Sequence, residues 1–412
     1  QGREEQMSNV WANTDGGLTV ENWFNLNASK NTVRGGQSVQ SFLKTAWLGT
    51  LTFQIARWGF LEGTVRQEKI STLAKDNNSF FYPSINASVL LNELVENCPT
   101  WWNYGKARLS YGIVGNAPEI YKATQAYAQA SASGYVYNAI GSSVGNNLIQ
   151  PEKKYEWEIG LEGKFLGNRL GFEASYYNAR IKDQILQTTM PYSSGGQNIL
   201  MNIGELHNQG FELSVYGTPV RVGDWKWDLR ANIAWNRNEV TKLNEGVDHI
   251  DHKNWDNGSL YLRSFVGGMM GDFYSLAPAT DENGNYIINS DGLYKLTNDW
   301  VKVGNAMPKL TGGFATDLTW REWTLGISLD FRVGGAVWNQ PYQYMMGRGA
   351  IKESLDFRGV ENGGLLYYVN DANELVHIAS AAEAPAGKKV YDDGMILDGV
   401  REDGTKNTQL IS

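Results

Sequence analysis

Hydrophobic and polar positions alternate along two consecutive hairpins between Pro151 and Asn238. From Tyr155 one series reads Tyr155, Trp157, Ile159, Leu161, Gly163 and Phe165, and the other reads Glu156, Glu158, Gly160, Glu162 and Lys164. After a turn at Gly167 and Asn168, Leu170, Phe172, Ala174 and Tyr176 alternate with Gly171, Glu173, Ser175 and Tyr177. The second hairpin sets Phe211, Leu213 and Val215, then Trp225 to Trp235, against Glu212, Ser214, Asp228, Arg230 and Asn232. A period of two places each series on one face of a strand. The same pattern recurs at residues 46–57, 59–67, 83–89, 106–114, 313–320 and 323–332, while residues 17–28 read as a strand followed by a polar loop at 29–40. The chain is therefore expected to be all-β, with about 12 or 13 antiparallel strands.

The connections alternate in length. Turns at 57–58, 166–169, 219–223 and 321–322 are short, whereas 115–150, 187–205, 238–258, 279–305 and 334–412 are long. Short turns at one end of a meander and long loops at the other mark a transmembrane barrel, so residues 1–412 are expected to form part of one barrel domain. A secreted β-sandwich module that binds or cleaves glycans is the alternative, because it too alternates, with its apolar face in a core. Two features favour the barrel. Several alternating runs exceed the roughly 5 to 6 residues of a globular strand and approach the roughly 9 to 11 of a tilted membrane strand. Trp58, Trp225, Trp227, Trp320 and Trp323 gather at the short turns and Tyr155 and Trp157 at the far end, like interfacial girdles. On that reading Glu158, Glu162, Asp228 and Arg230 face a wet lumen, and Trp157, Leu161, Leu229 and Ile233 face lipid.

Composition adjusts this picture slightly. Fifteen Trp, 21 Tyr and 46 Gly against 10 Pro lean toward β structure. No apolar run reaches the roughly 20 residues of a membrane helix. The net charge of −8 argues against nucleic-acid binding. The lone Cys98 offers neither a disulfide nor a cysteine metal cluster within the chain. Gln1 and the loop-like run to Ser412 are read as the ends of an internal fragment.

Several stretches resemble the SusC/RagA class of TonB-dependent outer-membrane transporters. They are residues 106–116, Lys-Ala-Arg-Leu-Ser-Tyr-Gly-Ile-Val-Gly-Asn; Leu148 to Lys153 leading into Glu158 to Glu162; Ser175-Tyr176-Tyr177; Asn202-Ile203-Gly204 followed by Asn208 to Leu213; and Gly304 to Pro308. The resemblance runs from about Phe42 to Val337, weaker at Asp398-Gly399-Val400 and Asp403-Gly404. It implies a barrel of about 22 strands around an N-terminal plug, a size at which outer-membrane transporters enclose a plugged lumen. It further implies import of oligosaccharides or peptides across the outer membrane of Bacteroidetes-type bacteria, a SusD-like surface lipoprotein over the barrel, and TonB acting through the plug. Neither plug, TonB box, first strands nor finishing strand is visible in this sequence, so its edge strands are expected to be completed by further segments.

On that resemblance the chain is expected to be a wall and a binding surface, with no catalytic residues, cofactor or metal. Sugar rings stack on aromatic faces beside hydrogen-bonding groups, which makes Tyr135, Tyr137, Trp255, Trp338, Tyr342 and Tyr344 in the long loops the candidate ligand contacts. Packing within their own loops, or against the lipoprotein, explains each of them equally well. His249-Ile250-Asp251-His252 has no supporting ligand cluster, and Asp281 to Asn285 lacks the glutamate of a calcium loop, so solvated and turn roles are expected there.

Overall fold

The computed structural model describes residues 1–141, 143–191, 193, 196, 198–355, 366–392, 395–408 and 410–411. Parts of the long connections 115–150, 187–205 and 334–412 thus lie outside the described residues. The chain divides into two compact units. One comprises residues 1–252, 264–270 and 308–334, the other 253–263, 271–307 and 335–412.

The first unit is built on strands β1 (Gly2–Leu18), β2 (Ser29–Ile55), β3 (Gly59–Ile70), β4 (Ser79–Leu90) and, after the one-turn α1 (Leu91–Leu94), β5 (Trp102–Asn116). A small hairpin, β6 (Tyr127–Ala132) and β7 (Tyr135–Ile140), and the two-residue β8 (Ser143–Val144) come next. The long strands resume as β9 (Glu152–Phe165), β10 (Leu170–Thr189), β11 (Asn198–Val222) and β12 (Trp225–Leu243). Past β13 (His249–Trp255), β14 (Leu260–Phe265), β15 (Asp272–Ser275), β16 (Ile287–Ile288) and β17 (Val301–Asn305), the chain returns as β18 (Pro308–Trp320) and β19 (Trp323–Gly334). One sheet runs β1-β2-β3-β4-β5-β9-β10-β11-β12-β18-β19, with β8 beside β11. Each neighbouring pair along that path is antiparallel, so it is an up-and-down meander with β1 and β19 as its outer strands.

The register carries the two faces unbroken across the sheet. Leu161 lies opposite Ala107 and Ala174, Leu213 opposite Ala174 and Ile233, and Leu229 opposite Thr316. Glu158 lies opposite Ser110 and Tyr177, and Asp228 opposite Asp317. On the apolar face Phe165 stacks on Phe172 at 6.1 Å and Trp225 on Trp320 at 5.8 Å near the short turns, and Trp157 meets Tyr176 at 5.5 Å near the other end. From Phe165 to Tyr155 a strand covers roughly 33 Å. Tilted by about 45° it spans roughly 23 Å, close to the apolar band of about 25 Å on a membrane barrel.

The apolar face is exposed along its length. Ile159 is 52% exposed, Leu161 42% and Ile327 47%, values that no sandwich core allows. The buried clusters lie instead at the long-loop ends, on the side carrying the charges. Leu206 and Val240, which share the face of Asp228, pack with Ile203, Leu243 and Ile250; Phe80, on the face of Glu62, packs with Leu73, Ala123 and Ile149. Described loop residues of this unit therefore lie over the polar side of the sheet.

Strands outrun the alternation that announces them. Residues 29–40, expected as a loop, form the first half of β2 and pair with β1, while the expected strand at 17–28 is mostly connection. Ser29 to Gln40 is polar apart from Val33 and Val39, too few apolar positions for a period-two signal. Its strand state comes from the backbone ladder alone. The ends of β10, β11 and β12 likewise extend into stretches expected as loops at 187–205 and 238–258. The short connection after β11 is Gly223-Asp224, with Gly223 at φ 54°, rather than 219–223, because a bulge between Gly217 and Val220 lets β11 continue.

Candidate functional site

On the polar face, glycines make flat ground on which larger groups lie. The guanidinium of Arg108 crosses over Gly160 to reach Glu158 at 2.9 Å and Glu173 at 2.7 Å. Tyr177 lies over Gly210, and its hydroxyl accepts from Asn236 Nδ2 at 2.7 Å. A side chain at either glycine would displace the group above it. The four charged residues expected in a lumen share this face. Glu162 lies 3.6 Å from Lys164, Asp228 bonds Thr218 Oγ1 and Lys226, both at 2.7 Å, and Arg230 pairs with Asp317. The alternation places Glu173 on the polar face, but nothing in the sequence pairs Arg108 with Glu173 or Arg230 with Asp317. Only strand register, which the sequence does not display, brings them to these partners.

The candidate loop aromatics divide between the units. Tyr135 and Tyr137 project from β7, 78% and 50% exposed, in the first unit. Trp255, Trp338, Tyr342 and Tyr344 belong to the second. There Trp255 and Trp338 meet edge to face at 5.9 Å, and Trp255 also touches Phe273 at 6.0 Å. Helix α2 (Gln340–Gly347) starts beside them, its first turn capped by Asn339 Oδ1 accepting from the Tyr342 amide at 3.1 Å. Gln343 Nε2 and Tyr344 Oη donate to the two carboxylate oxygens of Asp256 at 2.8 and 2.9 Å. Asp256 thus ties a helix to a loop some ninety residues distant in sequence and holds Tyr344 near the tryptophans, while Tyr342 and Tyr344 stay half-exposed. Asp256→Ala removes two charge-assisted bonds, each worth about 1.5 to 3 kcal/mol before solvent discounting. Amide exchange across residues 340–347 is expected to rise at least tenfold, and unchanged exchange would contradict the tether.

A second aromatic cluster is invisible in the sequence. Arg263 is buried against the rings of Tyr261 and Trp300, 4.4 and 4.9 Å from their centres, while the two rings meet edge to face at 4.7 Å. It packs the second unit rather than offering a surface. The remaining candidates resolve locally. Asp281 Oδ1 accepts from the amides of Asn283 and Asn285 at 2.9 Å, and hydrogen bonds from Asn285 and Asn283 hold its carboxyl below the usual range. His252 Nε2 lies 2.8 Å from Ser264 Oγ, and burial pulls its pKa down. No grouping of three or more metal-ligating side chains occurs among the described residues. Nor is any helix there long and apolar enough to cross a membrane, which says nothing of strands.

Comparison with known proteins settles what kind of sheet this is. The family described as "TonB dependent receptor-like, beta-barrel" matches residues 6–354. The chain belongs to this family. A TonB-dependent receptor of Formosa agariphila is 26% identical over 346 residues, covering 75% of this chain and 33% of the relative. The TonB-dependent receptor SusC of Bacteroides thetaiotaomicron is 28% identical over 262 residues, covering 59% of this chain and 26% of SusC. The structure of the RagAB peptide transporter superposes with a TM-score of 0.66 at 20% identity, covering 81% of this chain and 41% of that one. The chain thus spans about a third of the length of the first of these relatives. As a TonB-dependent receptor barrel of the SusC/RagA type it is an outer-membrane protein, and the secreted-sandwich alternative falls away.

Proposed function

We propose that this chain supplies wall and outer loops of a transporter that imports glycans or peptides across the outer membrane. A SusD-like lipoprotein would sit over its long loops, and TonB would act through a plug domain belonging to the longer receptor. One observation carries the reading. A single sheet holds charged groups and loop-covered clusters on one face, and bare aliphatic residues between two aromatic rows on the other. That is the division expected between a wet solute path and lipid. The RagAB neighbour is a peptide transporter, which supports peptides as one cargo class. Glycans are supported by the second unit, where an edge-to-face tryptophan pair lies beside a carboxylate and two half-exposed tyrosines. An aromatic ring takes the C–H face of a sugar while flanking groups fix its hydroxyls.

Uptake of labelled oligosaccharides and peptides by cells carrying the full-length receptor tests this. Replacing Trp255 and Trp338 together with alanine is expected to weaken capture of the cognate cargo about tenfold at unchanged surface level, each aromatic contact being worth about 0.5 to 1.5 kcal/mol. Unaltered uptake of both classes would remove these loops from the cargo path.

A further inference from the structure

Beyond the aromatic row at the long-loop end, the apolar face turns basic. Lys153 and Lys182 stand directly opposite each other on β9 and β10, and Arg180 follows two positions along, between Tyr155 on one side and His207 on the other. Like charges directly opposite on one face repel, and no ion pair to Lys153, Arg180 or Lys182 occurs among the described residues. Of the acids near in register, Glu239 opposite His207 is taken by Arg237 at 3.6 Å, and Glu205 and Asp183 at the bulge beside Lys182 form no ion pair with these cations among the described residues. Arg180, Lys182 and His207 line a groove of about 440 Å³ whose lower wall is Tyr111, Tyr155 and Trp157. Lys182 Nζ lies 5.9 Å from the Tyr155 ring centre. Below the groove the same face carries only Leu109, Ile159 and Leu161 and their neighbours.

Cations above aromatic rings above aliphatic side chains repeat the order of a lipid monolayer seen edge-on: headgroup, interface, acyl chain. We propose that Lys153, Arg180 and Lys182 bind the phosphate of a lipid headgroup in the leaflet at the long-loop side, with the acyl chains against Ile159 and Leu161. This rests on the apolar face being the lipid-facing wall. The anion cancels the repulsion between the two lysines, and the groove above Trp157 gives the headgroup its seat. A lumenal cluster would give no such layering, and the inner face at this height packs against Ile250, Val247 and Met270.

The test uses the full-length receptor in nanodiscs of phosphatidylcholine containing a minor fraction of phosphatidic acid, with retained lipid counted by native mass spectrometry. The wild-type receptor is expected to retain phosphatidic acid over phosphatidylcholine, undisplaced by inorganic phosphate. R180Q/K182Q is expected to bind it roughly 25-fold more weakly, from about fivefold per cation near a membrane surface, whereas K164Q on the opposite face keeps wild-type retention. Equal retention by R180Q/K182Q, or displacement by inorganic phosphate, overturns the proposal. Should the double variant fail to fold, K153Q, at an exposed position, carries the same test with about a fivefold loss. A fluorophore on a cysteine at Leu161, with nitroxide-labelled lipid, separates the two claims. Quenching there with unchanged lipid retention refutes the headgroup site alone, and absence of quenching refutes the facing on which it depends.

Discussion

Leu229→Arg in the full-length receptor is expected to prevent most of the protein from reaching a folded state in the outer membrane. Leu229 lies midway between Trp225 and Trp235 on the apolar face of β12, opposite Thr316 and Gly217. Arginine at the midplane of a membrane barrel costs about 2 to 4 kcal/mol, a large share of ordinary stability margins. The adjacent Arg230 is itself arginine and is tolerated because it points the other way, toward Asp317. Asp228→Asn and Arg230→Gln are therefore expected to leave folding intact and to change transport, since they alter only the polar face. Heat-modifiable mobility on gels, which separates folded from unfolded barrels, measures the first effect, and uptake measures the second. Equal folding of Leu229→Arg and Arg230→Gln would contradict the facing.

Gly210→Leu is expected to be the most damaging change on the polar face. A Cβ at this position would press on the hydroxyl end of Tyr177 and come within 2.7 Å of the Trp235 carbonyl oxygen. The tyrosine ring can swing aside at the cost of its bond from Asn236, about 1 kcal/mol. The carbonyl belongs to the neighbouring strand and cannot move without opening the β11–β12 ladder, and overpacking of this kind costs about 1 to 3 kcal/mol. A fall in the urea midpoint of the folded barrel is the expected result. Tyr177→Phe, which keeps the ring and loses the hydroxyl, should recover none of it in the Gly210→Leu background, because the carbonyl clash remains.

Alternation makes the long strands legible wherever one face is apolar and the other charged, as in β9, β12 and β19. It fails in Ser29 to Gln40, where polar residues dominate both faces and the backbone ladder maintains the strand, and along the outer half of β11, where Ile199, Leu200 and Met201 are consecutive and put apolar groups on both faces. The candidate residues show the same division. Glu158, Glu162, Glu173, Asp228 and Arg230 share one face because parity alone places them, whereas the pairing of Glu158 and Glu173 with Arg108, and of Arg230 with Asp317, depends on register. Trp255 and Trp338 meet ring to ring, and Tyr344 is tied to the residue after Trp255 through Asp256, a loop residue without any motif around it, whose two bonds to α2 span nearly ninety positions. Composition announces that aromatic residues are plentiful, but nothing short of the fold could say that Arg263 is buried against the paired rings of Tyr261 and Trp300 while Tyr135 stands exposed on β7.

The central claim is that one face of this sheet meets lipid and the other meets water. Single cysteines at Asp228, Leu229, Arg230 and Ala231 of the full-length receptor in native membranes, labelled with a lipid-soluble or a membrane-impermeant maleimide, test it most directly. Alternating labelling is predicted, with positions 229 and 231 taking the lipid-soluble reagent and 228 and 230 the water-soluble one. Uniform labelling, or the reverse alternation, would contradict it.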